Sequence, residues 1–130
     1  MTIAKGSFTV AMAPQSDEGF ETGRFTLDKA YDGDLCGTGK GQMLSVRTET
    51  AGSAGYVALE MVEGSLSGKA GGFHLQHSGI MNRGDPSLSV TIVPDSGTGG
   101  LAGISGTLDI TIDKDGGHFY ELNYKFPSDD

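Results

Sequence analysis

Apolar residues recur at every second position along this chain, and a glycine or a turn pair interrupts each run before it outgrows a strand. The alternation reads Phe8, Val10, Met12; then Phe25 and Leu27 with Lys29 and Tyr31 on the same parity; then Leu88, Val90, Ile92; then Leu108, Ile110, Ile112; then Tyr120, Leu122, Tyr124, Phe126. Successive side chains of a strand point to opposite faces, so a period of two gives pleated segments with one buried and one wet face. No segment repeats its apolar residues at helical spacing over three turns. The chain is therefore expected to be all-β.

Turn signals fall between these segments at roughly 8–12-residue spacing, the rhythm of a sandwich or barrel. They are Asp32-Gly33, Gly52-Ser53, Ser67-Gly68-Lys69-Ala70-Gly71, Arg83-Gly84-Asp85-Pro86 and Asp113-Lys114-Asp115-Gly116-Gly117. Strands are predicted at 5–13, 22–31, 34–47, 54–66, 71–82, 87–94, 104–113 and 117–126. Eight antiparallel strands joined by short hairpins can close on themselves and remove both sheet edges. Closure also accounts for 22 glycines in 130 residues, more than twice the usual ~7%, because tightly coiled strands bend at residues without a Cβ. The length suits one barrel domain over 1–130, with an acidic loop near 14–21 and a frayed tail at 127–130.

Charge and cysteine content exclude several function classes. Seventeen acidic residues against nine basic give a net charge of −8, which repels nucleic-acid backbones and anionic membrane surfaces. No apolar run approaches the ~18 residues of a membrane helix. Cys36 is alone and cannot form an internal disulfide, and the first residues lack the apolar core of a signal peptide, so a soluble cytoplasmic protein is expected.

Little of the sequence spells out chemistry. Gly97-Thr98-Gly99-Gly100-Leu101-Ala102 matches a dinucleotide-binding spacing, but a strand follows it where that motif needs a helix N-terminus. A turn-and-bulge role is expected for Gly97, Gly99 and Gly103. His74 and His77 stand three apart on a strand, hence on opposite faces, so no metal site and no cofactor is expected. His77 shares its parity with Phe73, Leu75 and Met81, which points it inward, and His74 goes out with Gln76. Glu60 shares a face with Tyr56, Ala58 and Val62. If that face is inward, Glu60 and His77 meet in an apolar interior as an acid/base couple with shifted pKa values; the opposite parity leaves Glu60 an ordinary surface residue. Ser78 adjoins His77 but faces the other way, so it is no nucleophile for it.

Several short patterns read together carry a family resemblance. They are Gly33-Asp34-Leu35-x-Gly37; Glu60-x-x-x-Gly64-x-Leu66-x-Gly68 running into Gly71-x-Phe73; Gln76-His77-x-Gly79; Pro94-x-Ser96-Gly97-Thr98-Gly99-x-Leu101-x-Gly103-x-x-Gly106; and Tyr120-x-Leu122-x-Tyr124. Over roughly residues 6–126 the chain resembles a family of small bacterial proteins of unknown function with the allene oxide cyclase-like barrel. Residues 94–106 also resemble plant allene oxide cyclases and, more weakly, dirigent proteins. The resemblance implies an eight-stranded antiparallel up-and-down barrel, allene oxide cyclase-like or lipocalin-like, with an apolar cavity open at one end. It further implies a small hydrophobic ligand, steered largely by shape, and a tendency to homo-oligomers. Met12 stands where an aromatic is frequent, and tryptophan is absent.

Two functions follow as expectations. In one, a small hydrophobic molecule sits against Tyr56, Phe73, Leu75, Tyr120 and Tyr124, with Glu60 and His77 as its polar anchors and candidate catalytic residues. Binding and cyclase- or isomerase-like turnover would share all these residues. In the other, the barrel is filled by its own side chains and serves as a structural or interaction module, since eight strands enclose a space only just wide enough to fill.

Overall fold

The computed structural model describes residues 1–129. Nine strands form one antiparallel sheet: β1 Thr2–Gln15, β2 Gly23–Gly33, β3 Leu35–Arg47, β4 Ala54–Leu66, β5 Lys69–Asn82, β6 Asp85–Ile92, β7 Thr98–Gly99, β8 Ser105–Ile112 and β9 His118–Lys125. The long strands pair in the order β4-β3-β2-β1-β9-β8-β6-β5, and β4 pairs with β5 to close an eight-stranded barrel. Each long strand neighbours the next in sequence, as in an up-and-down barrel. No helix among the described residues is long and apolar enough to cross a membrane.

Local chemistry sets the registers. β4 and β5 are joined through Ser67-Gly68, with φ of 48° and 89°, and β5 and β6 through Arg83-Gly84, with φ of 51° and 90°. Two central residues of positive φ make a type I′ turn, whose twist matches that of the strands it joins. The first turn locks a ladder from Leu66–Lys69 to Ala54–Met81, and the second starts one at Asn82–Asp85. The seam between β6 and β8 is the thinnest, with Thr91–Thr107 as its paired residues.

The strand ends differ from the sequence expectation at both termini of β1, which runs on to Gln15, at the start of β5 and both ends of β6, which each fall two residues early, and at β7, whose two residues are too short for alternation to show. The loop after β1 is partly tied down, because Arg24 bonds Asp17 at 2.9 and 3.2 Å. In the expected tail, Pro127–Asp129 form a single 3-10 turn; Asp130 lies outside the described residues.

One end of the barrel is packed solid. Leu35, Leu66, Phe73, Leu122 and their neighbours are almost wholly buried there, and Leu101 and Ile104, from the segment between β6 and β8, join the same cluster as a plug. That segment is anchored by β7, which pairs Thr98–Gly99 with Gly71–Gly72 of β5. The glycine-rich stretch thus has a closing role in the fold, consistent with the strand that follows it.

Candidate functional site

Halfway along β4 the inward face carries Ala58, Glu60 and Val62, and the Glu60 side chain is fully buried. Isolated, a carboxylate in such a place would be neutralised, because burial penalises its charge heavily. Here it is held by three donors. Lys29 Nζ from β2 and His77 Nε2 from β5 approach Oε1 at 2.8 and 3.0 Å, and the Tyr31 hydroxyl donates to Oε2. The Lys29 ammonium also lies 5.1 Å from the centre of the Phe8 ring, a cation–π contact.

The sequence makes room for this node with glycine. Gly39 of β3 faces it, and a Cβ there would collide with the Glu60 carboxylate and press on the Tyr31 ring. Among the described residues no buried side-chain nitrogen or oxygen lacks a partner. Burial pushes the Glu60 pKa up, but hydrogen bonds from His77, Lys29 and Tyr31 and the Lys29 charge outweigh it and hold Glu60 below the usual carboxylate range. Burial, and then the Glu60 charge, push the Tyr31 phenol far up. The node is an ion pair flanked by a phenol and an imidazole.

An ionised carboxylate only accepts hydrogen bonds, so His77 Nε2 must be the donor to it. In the neutral ring that leaves Nδ1 as the bare nitrogen, the tautomer control seen wherever a carboxylate orients a histidine.

Above the node the barrel is hollow. A cavity of about 760 Å³ opens at the end opposite the plug, walled mainly by Met12, Phe25, Met43, Tyr56, Met81 and Leu88. Gly79 belongs to that wall, and the Tyr56 ring lies across it where a Cβ would stand. Gly79 pairs with Tyr56 and His77 with Ala58, so His77 is one pleat repeat, ~7 Å along the strand, below the cavity wall. Burial pushes the Tyr56 phenol up. A second hollow, about 490 Å³, is a groove on the outer surface over Gly6 and Gly33.

Of the residues expected at the site, Glu60 and His77 are brought into direct contact, and Tyr56 lines the cavity. Phe73, Leu75, Tyr120 and Tyr124 are buried in the core cluster instead, and none of them lines the cavity. Tyr120 ties two strands together, because its hydroxyl accepts from Leu35 N at 2.8 Å and faces the carbonyls of Leu35 and Asp32 at 3.0 and 3.1 Å. His74 is exposed on the outer face, as its parity indicates. Lys29 and Tyr31 belong to the node although chemistry was not expected of them. Their signal was a lysine on the inward parity of Phe25, Leu27 and Tyr31. Among the described residues no group of three or more His, Cys, Asp or Glu could hold a metal ion.

Residues 4–124 match the family model described as "Protein of unknown function (DUF3224)". The chain belongs to the DUF3224 family. The match includes all four residues of the node. The crystal structure of a DUF3224 protein of unknown function from Shewanella oneidensis MR-1 is similar to it, with 44% identity and a TM-score of 0.93 over 97% of each chain. Comparison with curated proteins found no match. The family therefore accounts for the fold of this DUF3224 protein, and its chemistry has to be read from the node and the cavity.

Proposed function

We propose that this DUF3224 protein binds a small, largely apolar molecule in the open half of its barrel, with the molecule's polar group turned towards His77. The observation that carries the reading is the juxtaposition of a 760 Å³ cavity of mostly apolar side chains with a buried carboxylate–histidine pair one pleat below it. A cavity of this size falls within the range of small-molecule sites, which are mostly apolar with a few placed polar groups. A barrel that served only as a scaffold would gain nothing from a buried charge pair, which is often no more stabilising than apolar residues of the same volume.

The reading divides the labour between the two candidate catalytic residues. Both Glu60 oxygens are occupied and its pKa is lowered, so it suits the role of a positioning residue that fixes the His77 ring. His77 is the group suited to exchange a proton with a bound molecule, in the manner of the general acid–base step that an allene oxide cyclase-like or isomerase-like reaction would need. Tyr56, lying over Gly79, is the side chain that a ligand must contact or displace to reach it.

A thermal-shift screen of fatty-acid, terpenoid and polyketide-like compounds tests the reading, because a ligand held only by the folded state raises the midpoint. The expected result is a hit whose calorimetric affinity falls in His77→Ala and Tyr56→Ala and is unchanged in His74→Ala. No hit in any class, or a hit indifferent to both inward substitutions, overturns it in favour of the scaffold reading.

A further inference from the structure

The outer surface of the barrel is divided by charge. The outward positions of β2, β8 and β9 carry Asp28, Asp32, Asp109 and Glu121. The outward positions of β3, β4 and β5 between the rim and the Met61 level carry no carboxylate. They hold instead Leu44, Val46, Val57, Leu59, Met61 and Ile80, exposed by between 38 and 58%. These six side chains are neighbours: Leu44 pairs with Val57, and Val46 and Ile80 flank Gly55 from either side. Gln42, Gln76 and Ser78 fill the positions beside Val57 and Leu59, polar but uncharged, and Lys40 and His74 flank Met61 at the lower edge of the patch. A contiguous apolar patch of this kind on a water-facing sheet marks an interaction site.

We propose that the patch is the contact between two copies of this chain, joined about a two-fold axis that passes near Leu59. The charge pattern selects this occupant. Two chains of net charge −8 repel wherever carboxylates are brought together, so association between copies requires a face free of them. The β3–β5 face supplies one, with the neutral amides and hydroxyls that a polar surround needs. A two-fold contact uses the same patch on both copies, so an apolar face satisfies itself without a complementary partner. Leu59 lies on the middle strand of the patch between Val57 and Met61, which puts it at the centre, where burial is most complete.

Sedimentation equilibrium of the full chain tests this. The expected mass is twice the 13.5 kDa of one chain at micromolar concentration. The dimer fraction should rise with salt, because screening weakens the repulsion between the acidic copies and leaves the apolar contact intact. Leu59→Glu and Leu59→Lys should each sediment as monomers, and an equimolar mixture of the two should regain the dimer, since the opposite charges then meet across the axis. Thr9→Glu, an exposed position on β1, which β2 separates from the patch, should remain dimeric. Circular dichroism of each variant confirms the fold. A wild-type monomer, a dimer that dissociates with salt, a Leu59→Glu dimer, or a mixture that stays monomeric overturns the proposal.

Discussion

Lys29 and Glu60 leave water together, with 7 and 0% of their side chains exposed, and the consequences of losing one are unlike those of losing both. Glu60→Gln leaves the ammonium buried without its counter-charge, as Lys29→Met leaves the carboxylate, and breaking such a pair from one side costs about 3–5 kcal/mol. The double variant removes both charges, so it should be markedly more stable than the sum of the single losses allows; a double-mutant cycle in urea reads the coupling. The pH dependence has a definite sign. The folded Glu60 pKa lies below its ordinary 4.5, so between the two values the unfolded chain binds the extra proton. The stabilisation is complete above pH 4.5 and is lost as pH falls through the folded value. Wild type should lose more stability than Glu60→Gln between about pH 7 and pH 3, and equal losses would refute the assignment. Gly39→Ala should displace the carboxylate from its donors and destabilise by more than ~1 kcal/mol, an overpacking effect read by the same denaturation. Parity pointed His77 inward and left Glu60 open between two faces, a choice that the fold of β4 resolves to the inside. It also put Lys29 on the inward face, but alternation reports direction and not partners, so the ion pair itself could not be read.

The strands were legible because turns and period-two runs are local, and β4 begins and ends where alternation places it, at Ala54 and Leu66. Depth along the barrel is not local. Phe73, Leu75, Tyr120 and Tyr124 point inward as their parity requires, yet they lie in the half that Leu101 and Ile104 fill from a separate connection. Nothing in β5 or β9 records that this connection folds back over them. The segment's geometry depends on Gly99, with φ of 60° and its Cβ position 3.0 Å from the Ala70 carbonyl oxygen. Gly99→Val should therefore destabilise by more than ~1 kcal/mol through backbone strain. Gly97 is constrained differently: its φ is not positive, and a Cβ would collide with the Leu101 carbonyl oxygen. Leu101→Ala should cost about 2–5 kcal/mol by opening a void in the plug. Chemical denaturation of both variants decides whether the connection is part of the core; midpoints equal to wild type would make it an ornament on the barrel.

At the scale of the whole molecule, the hollow and the filled barrel are two ends of one structure. The closed half has the close packing of a core, and the open half has a mostly apolar wall that borders a cavity of about 760 Å³. Such a wall forgoes dispersion contacts that a side chain of this protein could make. If the hollow is kept for a ligand, filling it should improve stability and abolish binding together. Met43 lies in the wall and is only partly buried, so Met43→Trp adds apolar volume where there is space to receive it. The free variant should unfold at or above the wild-type midpoint. A ligand at ~100 times its dissociation constant stabilises by about 2.7 kcal/mol, which for a chain of this length is roughly 10 °C. Wild type should show that shift with a compound found by the screen, and Met43→Trp should lose most of it without losing stability. If the shift survives in full, the compound binds elsewhere and the open half of the barrel is not its site.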